Sequence, residues 1–181
     1  MKVTPLAIPD VLLIEPRIFE DARGFFFEMF NEATFEREAG IRERFVQQNF
    51  SRSRKNVVRG LHYQIQQAQG KLVRVAAGTI YDVVVDIRRS SPTFGRSVGC
   101  TLTAESRQWI WVPKGFAHGF VARSDTADVV YQVTDYWAPQ HERRLLWNDP
   151  ALGITWPLDG EAILSDPDRN GTPLSHADLF E

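Results

Sequence analysis

Short runs rich in Val, Ile, Phe, Tyr and Thr, each closed off by a cluster of Gly, Pro, Asn, Asp or Ser, recur along most of this chain. That rhythm is the signature of an all-β sandwich or barrel. It predicts strands at 11–15, 25–30, 45–50, 57–64, 72–76, 79–87, 97–103, 108–112, 119–123 and 129–134. Only 31–40 has the marks of a helix, with Asn31 as cap and Gly40 as stop. Ala77-Gly78 reads as a tight hairpin turn, since Gly accepts the positive φ such turns require. Within 79–87, Tyr81, Val83, Val85 and Ile87 share one face and Ile80, Asp82, Val84 and Asp86 the other. Both faces are partly apolar, so this strand belongs in the middle of a sheet. Tyr131 shares its face with Val129 and Val133, which carries its ring into an apolar interior while its hydroxyl seeks a polar partner.

After Ala138 the pattern changes. Prolines 139, 150, 157, 167 and 173 interrupt Trp147, Ile154, Trp156, Leu158 and Ile163, which reads as a tail wrapped over the barrel with its aromatics inward. No flexible linker, repeat or low-complexity run divides the chain, and 181 residues can bury a core of their own, so one domain spanning 1–181 is expected.

Charge and cysteine content narrow the function classes. Twenty-one basic and 23 acidic residues are mixed along the chain for a net charge of −2, which offers no basic face to a nucleic acid. An anionic ligand must meet local arginines. Cys100 has no partner for an internal disulfide, the start Met1-Lys2-Val3 leads into no apolar leader, and apolar stretches fall far short of the ~20 residues that cross a bilayer. A cytoplasmic protein without membrane contact is expected.

Some polar residues stand where a plain core would not put them. Gln47 and Asn49 share a strand face, as the wall of a cavity or as a solvated surface; Arg23 beside Gly24 reads equally as a turn arginine. His62 between Leu61 and Tyr63 is either a satisfied core histidine or a base, and Lys71 either snorkels from a strand start or serves a site.

Six blocks in order tip that balance: Arg59-Gly60-Leu61-His62-Tyr63-Gln64, Gly70-Lys71-Leu72-Val73-Arg74-Val75, Asp82-Val83-Val84-Val85-Asp86-Ile87-Arg88, Ser90-Ser91-Pro92-Thr93-Phe94-Gly95, Pro113-Lys114-Gly115-Phe116-Ala117-His118-Gly119-Phe120 and Trp147-Asn148-Asp149-Pro150. Together they resemble the dTDP-4-dehydrorhamnose 3,5-epimerase family across nearly the whole chain. The resemblance implies a cupin-type jelly-roll barrel with one or a few short helices, and a homodimer. It implies inversion of C3 and C5 of a dTDP-linked 4-keto-6-deoxyhexose, on the way to dTDP-L-rhamnose, with no cofactor and no metal.

Inverting a carbon beside a ketone requires a base on one face, a group to hold the enolate oxygen, and an acid on the other face. His62 suits the base, since an unperturbed histidine (pKa ~6.5) is mostly neutral at pH 7. Lys71 suits the enolate oxygen and Tyr131 the acid. The resemblance implies that Asp168 orients His62, that Gln47, Asn49, Arg59, His118 and Glu142 line the substrate site, and that Arg23 and Glu28 contact the nucleotide, often across a dimer interface. Two expectations are specific to this chain. Strict alternation puts Arg59 and His62 on opposite faces, so both reach one pocket only through a bulge or bend near Gly60. Pro167 stands where the family's Leu-Ser-x-Lys-Asp pattern has a basic residue, which leaves Asp166 as an alternative to Asp168 and shifts phosphate binding toward Arg59 or Arg169.

Three rivals remain. Pro113-x-Gly115-x-x-His118 matches the second metal motif of cupins, but Tyr63-Gln64 follows His62 where a His-x-His pair would be needed, and His141 and His176 have no partner spacing. An epimerase acting at C3 alone or C5 alone would keep the same base and acid. A sugar-binding module without chemistry would have no need of His62, Lys71 and Tyr131 together.

Overall fold

The computed structural model describes all residues, 1–181. In chain order it has β1 (Lys2–Pro5), β2 (Leu12–Glu15), β3 (Ile18–Asp21), β4 (Gly24–Phe27), α1 (Glu32–Ala39), β5 (Gln47–Arg54), β6 (Val58–Gln64), β7 (Lys71–Ala77), β8 (Thr79–Asp86), β9 (Ser97–Thr103), β10 (Trp109–Val112), β11 (Phe116–Ala122), β12 (Thr126–Val133), β13 (Glu142–Arg144) and α2 (Asp166–Arg169). A six-stranded sheet, ordered β1-β2-β10-β7-β12-β5, faces a five-stranded sheet, ordered β13-β6-β11-β8-β9. Strands β3 and β4 form a separate hairpin. This is the cupin-like jelly roll the resemblance implied.

The core follows from alternation. Val73, Val75, Ile110, Val112 and Val129 of the larger sheet meet Ile80, Val84, Phe116 and Phe120 of the smaller one in one buried cluster. Tyr81, Val83, Val85 and Ile87 turn to the outer face of the smaller sheet. There the C-terminal segment covers them with Leu145, Leu152, Ala177 and Leu179, joined by half-buried Ile154 and Trp156. The tail is therefore the wrap its composition predicted, although Ile163 stays half exposed. The outer face of the larger sheet, through Ile14, Leu72, Trp109 and Trp111, is covered by Phe35 of α1 and by Ile41. Asn31 caps α1 by accepting from the Thr34 amide, and Gly40 ends it in the left-handed conformation at φ 69°. No helix is long and apolar enough to cross a membrane.

Several local predictions need correction. Ala77-Gly78 is not a hairpin turn: β7 pairs with β10 and β12, while β8 pairs with β9 and β11. The link crosses from one sheet to the other, and Gly78 (φ 78°) is required there because a Cβ would lie 2.2 Å from the Thr126 carbonyl oxygen. Strand 45–50 in fact runs from Gln47 to Arg54, through Ser51-Arg52-Ser53, whose polar residues on both faces hid it. Strand 25–30 ends at Phe27, after which Glu28 accepts from Asn31. Strand β11 begins three residues before the predicted start at Gly119 and β12 three before Val129, while β1, β3 and β13 carry too little alternation to be seen.

The expected irregularity at Gly60 is present. Along β6 and β11, His62 faces His118 while Arg59 faces Phe120, so β6 carries one extra residue between them. Gly60 has φ 116°, and a Cβ there would sit 2.6 Å from the Gly119 Cα. Gly60→Ala is expected to cost about 2–4 kcal/mol, from a left-handed φ plus a backbone clash. Urea denaturation followed by tryptophan fluorescence would read this cost.

Candidate active site

The bulge puts Arg59 and His62 on one face of β6, where both line one pocket. Strand β5 offers Gln47 and Asn49 along one face, joined by a 2.8 Å hydrogen bond from Gln47 Nε2 to Asn49 Oδ1. Asn49 pairs across the sheet with Tyr131 of β12. Lys71 begins β7, His62 and His118 come from neighbouring strands of the smaller sheet, and Glu142 begins β13. A cavity of about 320 Å³ is lined by Gln47, Asn49, His62, Lys71, Tyr131 and Glu142, with Gln69 and Trp137 at its sides. A smaller pocket of about 120 Å³ shares His62, Lys71 and Tyr131 and extends to Ser51, Arg59 and His118.

His62 Nε2 lies 2.6 Å from Asp168 Oδ1. Burial alone would push the Asp168 carboxyl up, but the hydrogen bond and charge of His62, joined by hydrogen bonds from Ser165 and the Gly60 backbone, hold the group below the usual carboxylate range. Asp168 is delivered by α2, whose cap Ser165 accepts from the Asp168 amide at 3.3 Å. Pro167 suits that first turn because its missing N–H would have no partner there and its φ is already helical. Of the two candidates in this segment, Asp168 meets His62, while Asp166 and Arg169 are exposed.

Lys71 is 8% exposed and its Nζ donates to the His62 carbonyl at 3.1 Å. Burial lowers its pKa to about 8, against the opposing pull of the Glu142 and Asp82 charges. Burial raises the Tyr131 phenol above its ordinary value; the Arg59 charge works against that shift and Glu142 adds to it. Deeper still, His118 Nε2 lies 2.8 Å from Asp82 Oδ2, and the second Asp82 oxygen is buried without a partner. Arg59 is held in place by Nε donating to Ser53 Oγ at 2.9 Å. No group of three or more His, Cys, Asp or Glu side chains converges to hold a metal ion.

Of the predicted residues, Gln47, Asn49, Arg59, His62, Lys71, His118, Tyr131, Glu142 and Asp168 come together. Arg23 and Glu28 do not join them within this chain. Arg23 sits on the projecting β3–β4 hairpin, 89% exposed and paired with Asp21, and Glu28 lines a different cavity beside Phe26 and Trp109. Sequence reasoning missed other residues, four of them around the pocket. Ser51 and Ser53 continue the period-two face of Gln47 and Asn49, a signal that was available. Asp82, a fully buried carboxylate inside an apolar strand, was visible as an anomaly. Trp137 carried no local signal; its indole is 60% exposed and donates to Glu142 Oε2 at 2.7 Å.

A family model described as dTDP-4-dehydrorhamnose 3,5-epimerase matches residues 5–176. The dTDP-4-dehydrorhamnose 3,5-epimerase of Pseudomonas aeruginosa is 57% identical over 180 residues, 99% of each chain. That of Salmonella typhimurium is 52% identical over the full length of both. Among solved structures, a dTDP-6-deoxy-D-glucose-3,5-epimerase of Legionella pneumophila in complex with dTDP-4-keto-L-rhamnose superposes with a TM-score of 0.95 at 49% identity, covering 98% of this chain and 94% of the other.

Proposed function

The chain belongs to the dTDP-4-dehydrorhamnose 3,5-epimerase family, and from that premise we propose that His62 and Tyr131 perform the inversion from opposite sides of the sugar ring. The enzyme is an isomerase that inverts C3 and C5 of dTDP-4-dehydro-6-deoxy-D-glucose to give dTDP-4-dehydro-L-rhamnose, in the formation of dTDP-L-rhamnose. One observation carries the assignment of roles: His62 stands on the smaller sheet and Tyr131 on the larger, and both border the same cavity. A ring lying between the sheets meets a base on one face and an acid on the other, as inversion demands.

His62 Nε2 is committed to Asp168, so Nδ1 takes the proton from the carbon next to the ketone. The C–H electron pair moves into the new C=C bond and the carbonyl pair onto the C4 oxygen, where the Lys71 ammonium stabilises the enolate. Asp168 stabilises the imidazolium that forms. As the enolate collapses to the ketone, the carbon takes the Tyr131 proton on the opposite face; solvent then reprotonates the tyrosinate and clears the imidazolium. Arg59 answers the diphosphate and Trp137 offers an aromatic face to the base of the nucleotide.

A homodimer fits the residues left outside the pocket. The β3–β4 hairpin exposes Phe19, Phe25 and Phe26 at 50%, 55% and 68%, an apolar surface that a second copy would cover while bringing Arg23 and Glu28 to its partner's site. The single cysteine suits a reducing cytoplasm.

Incubating the purified protein with the 4-keto sugar nucleotide in deuterated water, followed by NMR, tests this reading. Deuterium at both C3 and C5 with the rhamno configuration is expected; incorporation at one carbon alone would overturn inversion at both. Tyr131→Phe is expected to lower turnover about 10²-fold while still exchanging deuterium without inversion, because the base is intact and the acid is gone. Full inversion by that variant would remove Tyr131 from its role.

A further inference from the structure

Arg144 is the charged neighbour of the His62–Asp168 pair that the mechanism above leaves unused. It ends β13 directly across from His62, so the two side chains leave the sheet on the same face. Its Nε lies 3.4 Å from Asp168 Oδ1, the same oxygen that His62 Nε2 approaches at 2.6 Å. Its Nη2 donates to Glu142 Oε1, and the other Glu142 oxygen accepts from Trp137. The Nε–H is buried and makes no hydrogen bond of its own, so Arg144 acts on Asp168 through charge rather than through a directed bond. Arg143, one residue back, turns to the opposite face and pairs with Asp178 at 3.3 Å.

We infer that Arg144 is a positioning residue for the epimerisation: its guanidinium shares the Asp168 carboxylate with His62, holds that carboxylate in place, and disfavours a second cation beside it. The physical reason is competition. When His62 takes up a proton, two cations must share one carboxylate oxygen, and the repulsion between them opposes protonation. The other charged and titratable groups around His62 are Lys71 from β7, Tyr131 from β12, His118 from β11 with Asp82 of β8 behind it, Arg59 on β6 and Glu142 beside Arg144. All of them persist when Arg144 alone is changed, and an unpaired Glu142 would push in the same direction as the loss of the guanidinium. The inference rests on His62 being the base.

The test is the pH profile of kcat/KM for wild type, Arg144→Gln, Arg144→Lys and Arg143→Gln, together with NMR titration of the labelled His62 ring without substrate. In Arg144→Gln the acid side of the profile is expected to move up by roughly half to one pH unit, a several-fold loss on the acid limb that shrinks as the pH rises. Arg144→Lys should restore most of the wild-type profile, and Arg143→Gln should match wild type throughout. The ring titration should move with the profile. A uniform loss at every pH, an unmoved ring titration in Arg144→Gln, or an equal shift in Arg143→Gln would overturn the inference. Because the ring titration needs no turnover, it separates this outcome from a failure of the base assignment, which full activity in His62→Asn would reveal.

Discussion

Changing His62 to alanine is expected to lower kcat/KM by about 10²–10⁴-fold and to abolish deuterium exchange at both ring carbons. The two readouts belong together, because the same proton removal begins both. The side chain is a third exposed and sits at the cavity wall, so its truncation opens no sealed void. Its loss does leave the buried Asp168 carboxylate without its closest partner, a cost of about 1–3 kcal/mol. His62→Asn therefore serves as the companion variant, since its amide can still donate to Asp168. If His62→Asn keeps the thermal midpoint while losing exchange, the defect is chemical. Persisting exchange in both variants would sink the assignment. The sign on the acid side follows from Asp168: its carboxyl is depressed in the folded state, so its contribution to stability is present above the ordinary carboxylate pKa near 3.8 and is lost as the pH falls through the lower folded value.

Lys71→Met is expected to lower kcat by about 10²–10³-fold, the usual effect of removing one donor from an enolate or oxyanion, without lowering the thermal midpoint. The second half of that result is the sharper one. Lys71 is a buried ammonium whose pKa falls to about 8 from 10.5, so the Glu142 and Asp82 charges offset its burial only in part, and an apolar side chain of similar length relieves the remainder. The same shift sets the alkaline behaviour. As the pH rises through 8 the ammonium is lost and activity is expected to fall, while Tyr131, shifted upward, remains protonated. Between pH 8 and about 10 the unfolded chain holds the Lys71 proton that the folded chain has released, so this group makes the fold more stable with rising pH. Activity and stability should part company in that window. A pH–rate profile beside a pH series of melting curves would show it, and Lys71→Arg, which keeps its charge, should carry activity to higher pH. A wild-type rate flat to pH 10 would refute the role.

Where the sequence misled, the reason lies in pairing. Ala77-Gly78 has the composition of a hairpin, yet β7 and β8 do not pair with each other: both edges of each are taken by other strands, and the link became a step between sheets. Strand β5 runs past its predicted end because Arg52 pairs with Asp128 of β12 and Ser53 holds Arg59, contacts that no local pattern records. Trp137 and Arg144 stayed unseen for the same reason, since each gains its meaning from Glu142 or Asp168. The readings that held were local: the capped helix at 31–40, the two-faced strand at 79–87, and the need for a kink at Gly60.

By itself, the sequence determined the β class, the helix and its caps and the wrapping tail, and with the family resemblance it offered His62, Tyr131 and Lys71 as candidates for base, acid and cation. Those features follow from side-chain alternation, from backbone preferences and from residue chemistry, all of which act over a few neighbouring positions. Only the tertiary structure decided which strands pair, that Asp168 and not Asp166 reaches His62 across 106 positions, that Arg144 shares that carboxylate, and that Arg23 and Glu28 stand outside the pocket. These depend on burial and on partners far apart in the chain, where the energy of a contact exists only once the two sheets have closed on each other.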